Sequence, residues 1–107
     1  MYLYQQILLN AVNANTNGTA VDLAQSYNND RGCTFIVAAT NFGGGTVNIE
    51  VTPDNGTTWV PLRNPYTGQP YTFTANGTNY YPRSLNLRIR ATLTGASGAS
   101  AVSAYLM

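Results

Sequence analysis

The stretch TVNIEVTPDNGTTWVPL, residues 46–62, decides the fold class. Val47, Ile49 and Val51 alternate with Asn48 and Glu50. In an extended chain successive side chains point to opposite faces, so this spacing gives one apolar face and one polar face. It is the pattern of a half-buried β-strand. A turn follows at once. Pro53 fixes φ at its entry, and Asp54 can accept bonds from backbone N–H groups ahead of it. Gly56 supplies a positive φ, and Trp59 brings a large ring to bury beneath the hairpin. The next run, TWVPLR (58–63), is a second strand. Pro61 removes a ladder donor, which places it at a sheet edge or breaks it there.

Working outward, the same signal recurs. ILLNAV (7–12), TAVDLA (19–24) and the nearly all-apolar CTFIVAAT (33–40) read as strands, the last as a central one. YTFT (71–74), the Asn76–Gly77 pair and NYYP (79–82) read as a short hairpin. SLNLRIRATL (84–93) alternates again, with Arg88 and Arg90 outward, and AVSAYLM (101–107) is a last strand. About eight strands at intervals of roughly 8–12 residues predict an all-β chain, a single antiparallel β-sandwich. Jelly-roll and immunoglobulin-like topologies both fit. The expected core includes Val47, Ile49, Val51, Leu85, Leu87 and Ile89. With 107 residues the chain suits one domain, 1–107, with residues 1–6 as an N-terminal arm. Asn17, Asn55 and Asn76 each open an Asn-Gly-Thr triplet, and all three read as turns.

Composition narrows the chemistry. Charged residues make up 8% of the chain, with five arginines, no lysine and a net charge of +1. So little charge gives no long-range attraction for nucleic acid or an anionic membrane. It also gives weak colloidal repulsion, which favours a surface covered by partners. There is no histidine, hence no imidazole base or ligand, and no lysine for a Schiff base. The four carboxylates, Asp22, Asp30, Glu50 and Asp54, do not read as a catalytic pair or a metal site. No catalytic residue, cofactor or metal is expected. The single cysteine, Cys33, alternates with Phe35 and Val37 and reads as a buried, inert thiol.

Two residue types are left for binding. The chain has eight tyrosines, placed near the start (Tyr2, Tyr4) and through residues 66–81 (Tyr66, Tyr71, Tyr80, Tyr81). Tyr offers a rigid amphipathic surface and is favoured at interfaces. Arg83, Arg88 and Arg90 can anchor carboxylates on a partner. The plainer alternative for the last two is a solvated face paired with an acid such as Glu50. Tyr2, Tyr4, Tyr66, Tyr80, Tyr81, Arg83, Arg88 and Arg90 are therefore the expected contact residues.

Thr52–Trp59 reads Thr-x-Asp-x-Gly-x-Thr-Trp, which resembles the Asp-box hairpin of sialidases and other propeller enzymes. A propeller cannot fit in this chain. In that family the turn lies on the rim, so the resemblance implies a structural turn at Asp54, Gly56 and Trp59 and no catalysis. Residues 33–107 as a whole resemble small virion proteins of tailed bacteriophages. There an Asp-box hairpin after a V-x-V strand is followed by a closing R-x-R to V-x-A-x-L segment. The resemblance implies a non-enzymatic capsid decoration, or cement, protein. Its partner would be the major capsid protein, its own state a homotrimer, and its location the virion surface after synthesis in the bacterial cytoplasm. The alternative is a carbohydrate- or receptor-binding β-domain of a fibre or tail, with Trp59 and the tyrosines as stacking platforms.

Overall fold

The computed structural model describes residues 6–22, 32–83 and 87–107, and none of them lies in a helix. Among the described residues ten strands follow one another: β1 (Gln6–Val12), β2 (Thr16–Asn17), β3 (Val21–Asp22), β4 (Cys33–Ala38), β5 (Thr46–Thr52), β6 (Val60–Pro61), β7 (Thr72–Phe73), β8 (Gly77–Tyr81), β9 (Arg88–Thr94) and β10 (Val102–Leu106). They form two antiparallel sheets. One has the order β1-β10-β4-β8. In the other, β9 and β5 are central, with β2 and β3 on the free side of β9 and β6 and β7 on the free side of β5.

β2 and β3 pair with opposite ends of β9, so together they fill one strand position; β6 and β7 do the same along β5. Counted by position there are eight strands, as the spacing predicts. Their pairing is nested. The first strand pairs with the last, β2/β3 with β9, β4 with β8, and β5 with β6/β7. A long hairpin of four strand pairs, rolled so that successive pairs fall in alternate sheets, gives this order. It is the jelly-roll arrangement. The immunoglobulin-like option falls away, because there the first strand lies beside the second in one sheet.

The core is built by period-two alternation on four strands. Cys33, Phe35 and Val37 of β4 and Val102, Ala104 and Leu106 of β10 meet Val47, Ile49 and Val51 of β5 and Ile89, Ala91 and Leu93 of β9. All twelve are buried. β4 is central in its sheet, as its unbroken apolar run implies.

Four expectations change. Leu87 is not in the core; it is 42% exposed, because it precedes the first paired residue of β9. Leu85 lies outside the described residues. The expected 71–82 hairpin does not form. β7 pairs with β5 while β8 pairs with β4, so residues 74–76 carry the chain from one sheet to the other. Tyr71 and Phe73 are buried in the shared core, which ties them to the second sheet. Asn76 serves this crossover by accepting the Ala39 N–H at the end of β4, 2.8 Å away. Asn17–Gly18 is not a turn of positive φ either. Gly18 donates to the Ala91 carbonyl at 2.7 Å, and a Cβ there would sit 2.1 Å from the Leu8 carbonyl oxygen. That glycine is needed for close approach of two backbones. Finally, the strand expected over 58–63 shortens to Val60–Pro61, on the edge where Pro61 placed it; past it, Leu62 N–H still donates to the Ile49 carbonyl at 2.9 Å and Arg63 bridges Pro70.

Candidate partner-binding surface

The turn after β5 is organised by Thr52. Its side chain is buried; the hydroxyl accepts the N–H of Gly56 at 2.7 Å and of Asp54 at 3.3 Å, and donates to Asp54 Oδ1 at 3.0 Å. Asp54 Oδ1 also accepts the Thr58 N–H at 2.7 Å. These bonds, the one from Thr58 foremost, hold the Asp54 carboxyl below its ordinary value. Asn55 and Gly56 take positive φ values of 62° and 101°, the left-handed pair that a tight Asn-Gly turn needs. The Thr52 hydroxyl and Asp54 Oδ1 are both engaged in closing the hairpin, in keeping with a structural turn.

Trp59 departs from expectation. It is half-buried and does not enter the core. Its ring lies on the outer face of the second sheet under the Arg90 guanidinium, 4.4 Å from the centroid. Arg90 Nε in turn donates to Glu50 Oε1 at 2.9 Å across the β5–β9 pair. Arg88 and Arg90 do share one face, as alternation predicts, but Arg90 is already held by an acid and a ring. The rest of this outer face is polar: Asn48 Nδ2 reaches the hydroxyls of Thr92 and Thr94 at 3.4 and 3.1 Å.

A second group of expected contact residues comes together elsewhere. Tyr71 is buried, and burial pushes its phenol above the ordinary value. Its hydroxyl donates to the Tyr80 carbonyl at 2.8 Å and accepts from Asn64 Nδ2 at 3.2 Å. Asn64 Oδ1 accepts the N–H groups of Tyr66 and Thr67 at 2.8 and 3.2 Å. The loop 64–70 is thereby pinned to the edge strand β8. Tyr66 is 71% exposed and Tyr80 49% exposed, and the Arg83 guanidinium stands 5.6 Å from the Tyr66 ring centroid. Tyr66 and the Arg83 guanidinium thus stand together beside the strand that carries Tyr80, whose own hydroxyl lies close to Gly32; a rotamer-poor aromatic loses little entropy on contact.

Tyr81 belongs to the support of that corner. It is half-buried and tilted against the Tyr71 ring, centroids 5.9 Å apart. Tyr2 and Tyr4 lie outside the described residues. One group escaped the sequence reading altogether. The outer face of the first sheet presents Ile7, Tyr105, Ile36 and Thr78 side by side in one register row, with Thr34 and Tyr80 in the next. The signal was present in CTFIVAAT: a central strand with apolar residues at both parities has an apolar outer face as well. Cys33 is buried, and burial pushes its thiol up to about 12, as an inert core thiol requires.

Compared with known protein families, curated proteins and solved structures, the chain matches none of them.

Proposed function

We propose that this protein is a non-enzymatic structural component of a tailed-phage virion, a capsid decoration protein that binds the major capsid protein and braces the shell as a homotrimer. The observation that carries this reading is the corner of Tyr66, Tyr80 and Arg83, exposed yet pinned through Tyr71 and Asn64. Exposed aromatics with an arginine, held rigidly, have the composition of an interface hot spot. A jelly roll is a scaffold common in capsids but shared with lectins and enzymes, so the fold adds context and the site carries the reading. Many copies on one shell gain by avidity, so each contact can be small. The carbohydrate-binding alternative draws less support, because Arg90 already occupies one face of Trp59.

The test is co-sedimentation with mature capsids that lack the protein, followed by binding isotherms. Tyr66→Ala and Tyr80→Ala should each weaken binding by roughly 1–2 kcal/mol, and Arg83→Ala should remove part of the salt dependence. Wild-type protein that stays in the supernatant at every salt concentration rejects the capsid reading.

A further inference from the structure

The two sheets differ in one respect that the proposed function does not use. β1, β4, β8 and β10 contain no Asp, Glu, Lys or Arg at all. β3, β5 and β9 of the other sheet carry Asp22, Glu50, Arg88 and Arg90. The outer face of the charge-free sheet is a continuous row, Ile7–Tyr105–Ile36–Thr78, with Thr34 and Tyr80 alongside. Ile7 and Tyr80 are exposed, Ile36 and Tyr105 half-buried.

Both edges of this sheet are blunted. On β8 the Tyr80 N–H is taken by its neighbour Asn79 Oδ1 at 2.9 Å and the Tyr80 carbonyl by Tyr71, and Pro82, one residue past the strand, has no N–H to offer. On β1 the register shifts twice, the Leu8 carbonyl accepts the Thr19 N–H, and the Ala11 N–H goes to Ser103 Oγ. Added strands therefore find few free backbone groups on these edges, which leaves the face as the way this sheet can associate.

We infer that this face is where copies of this chain pack against one another. Copies related by symmetry bring identical patches close to each other, so any charge on the patch meets its own sign; a patch without charge avoids that cost. A strongly charged partner, conversely, would find no counter-charge on these strands. Size sets the strength of the contact. Four strands about 4.8 Å apart and some five residues long at about 3.3 Å cover roughly 320 Å² of flat area per copy. Two such faces stacked about a twofold axis give roughly 640 Å², the small end for a specific contact, so the association depends on concentration. The inference rests on the homo-oligomer part of the reading above and not on the capsid part.

Analytical ultracentrifugation of the free protein tests it. Wild type should sediment as an oligomer. Ile36→Lys and Tyr105→Lys should each reduce it to the monomer mass with an unchanged β circular-dichroism spectrum, while Thr94→Lys, exposed on the other sheet, should keep the wild-type mass. If the lysine variants do not fold, hydroxyl-radical footprinting of wild type decides: labelling of Ile36 and Tyr105 should fall as protein concentration rises, while labelling of Tyr66 stays constant. A monomeric wild type at every concentration, lysine variants that keep the wild-type mass, or Tyr105 labelling that does not change with concentration overturns the inference. A dimer in place of a trimer upholds it and corrects only the threefold stoichiometry. Failure of capsid binding shows in the co-sedimentation assay and leaves this result untouched.

Discussion

The two outer faces of the sandwich are made by the same alternation and end with opposite chemistry. On β5 and β9 the outward positions are Thr46, Asn48, Glu50, Arg88, Arg90, Thr92 and Thr94. Asn48 bonds to Thr92 and Thr94 across the strands, Glu50 to Arg90, and Arg90 stacks on Trp59. On β4 and β10 the outward positions include Ile36 and Tyr105, with Ile7 beside them on β1, and no side-chain ion pair or hydrogen-bond ladder joins that row in the described residues. The difference teaches how a sheet face can finish its own surface. Much of the polar face satisfies its groups internally. The apolar face leaves area that only another surface can cover.

The largest expected effect tests whether inward and outward positions differ as sharply as this contrast requires. In β4, Phe35→Ala should cost about 3–5 kcal/mol, the range for emptying a packed aromatic site. Its neighbour Ile36→Ala should cost only about 1 kcal/mol in the monomer, because the side chain is half exposed. Urea denaturation of both variants checks this. Equal losses would mean that the outer face already contributes to the monomer core.

On the polar face, the buried Thr52 hydroxyl serves two N–H donors and one carboxylate. Thr52→Val keeps the shape and removes all three bonds. It should destabilise by about 1–2 kcal/mol, and Thr52→Ser should recover most of that in the same denaturation assay. A neutral Thr52→Val would show that the turn is closed by Asp54 alone.

A smaller loss is expected at Arg90, which joins Glu50 to Trp59. Arg90→Ala should cost about 1 kcal/mol, the sum of a partly exposed ion pair and a cation–π contact. Tryptophan emission should shift as Trp59 loses its cover. An unchanged spectrum would mean that the stack is not maintained in solution.

The smallest effect is a pH dependence. Bonds from Thr58 and Thr52 depress the folded-state Asp54 pKa, so the unfolded chain takes up this proton more readily. The associated stability is present above the ordinary aspartate range and is lost as pH falls through the lowered folded value. Thermal melts should therefore show Tm falling with acid in wild type and falling less in Asp54→Asn. Parallel profiles for the two proteins would remove Asp54 from the acid response.

What the sequence determined by itself was local. Short apolar runs between turns located β1, β4 and β10, and period-two spacing located β5 and β9 and the inward side of Val47, Ile49, Val51 and Ile89, because side-chain direction in a strand depends only on parity. Thr52, Asp54 and Gly56 announced a closed turn, since the bonds span at most four residues. Which strand lies beside which was beyond reach of the pattern, and so the 71–82 segment read as a hairpin although it crosses between sheets. The same limit applied to the binding residues. Tyr66, Tyr80 and Arg83 were visible as types, but Tyr81 was turned inward against Tyr71, Arg90 was claimed by Glu50 and Trp59, and Ile7, Ile36 and Tyr105 aligned only when β1, β4 and β10 came together. Parity fixes the side of a strand on which a residue stands; its neighbours there come from strands far off in the chain, and only the tertiary pairing selects them.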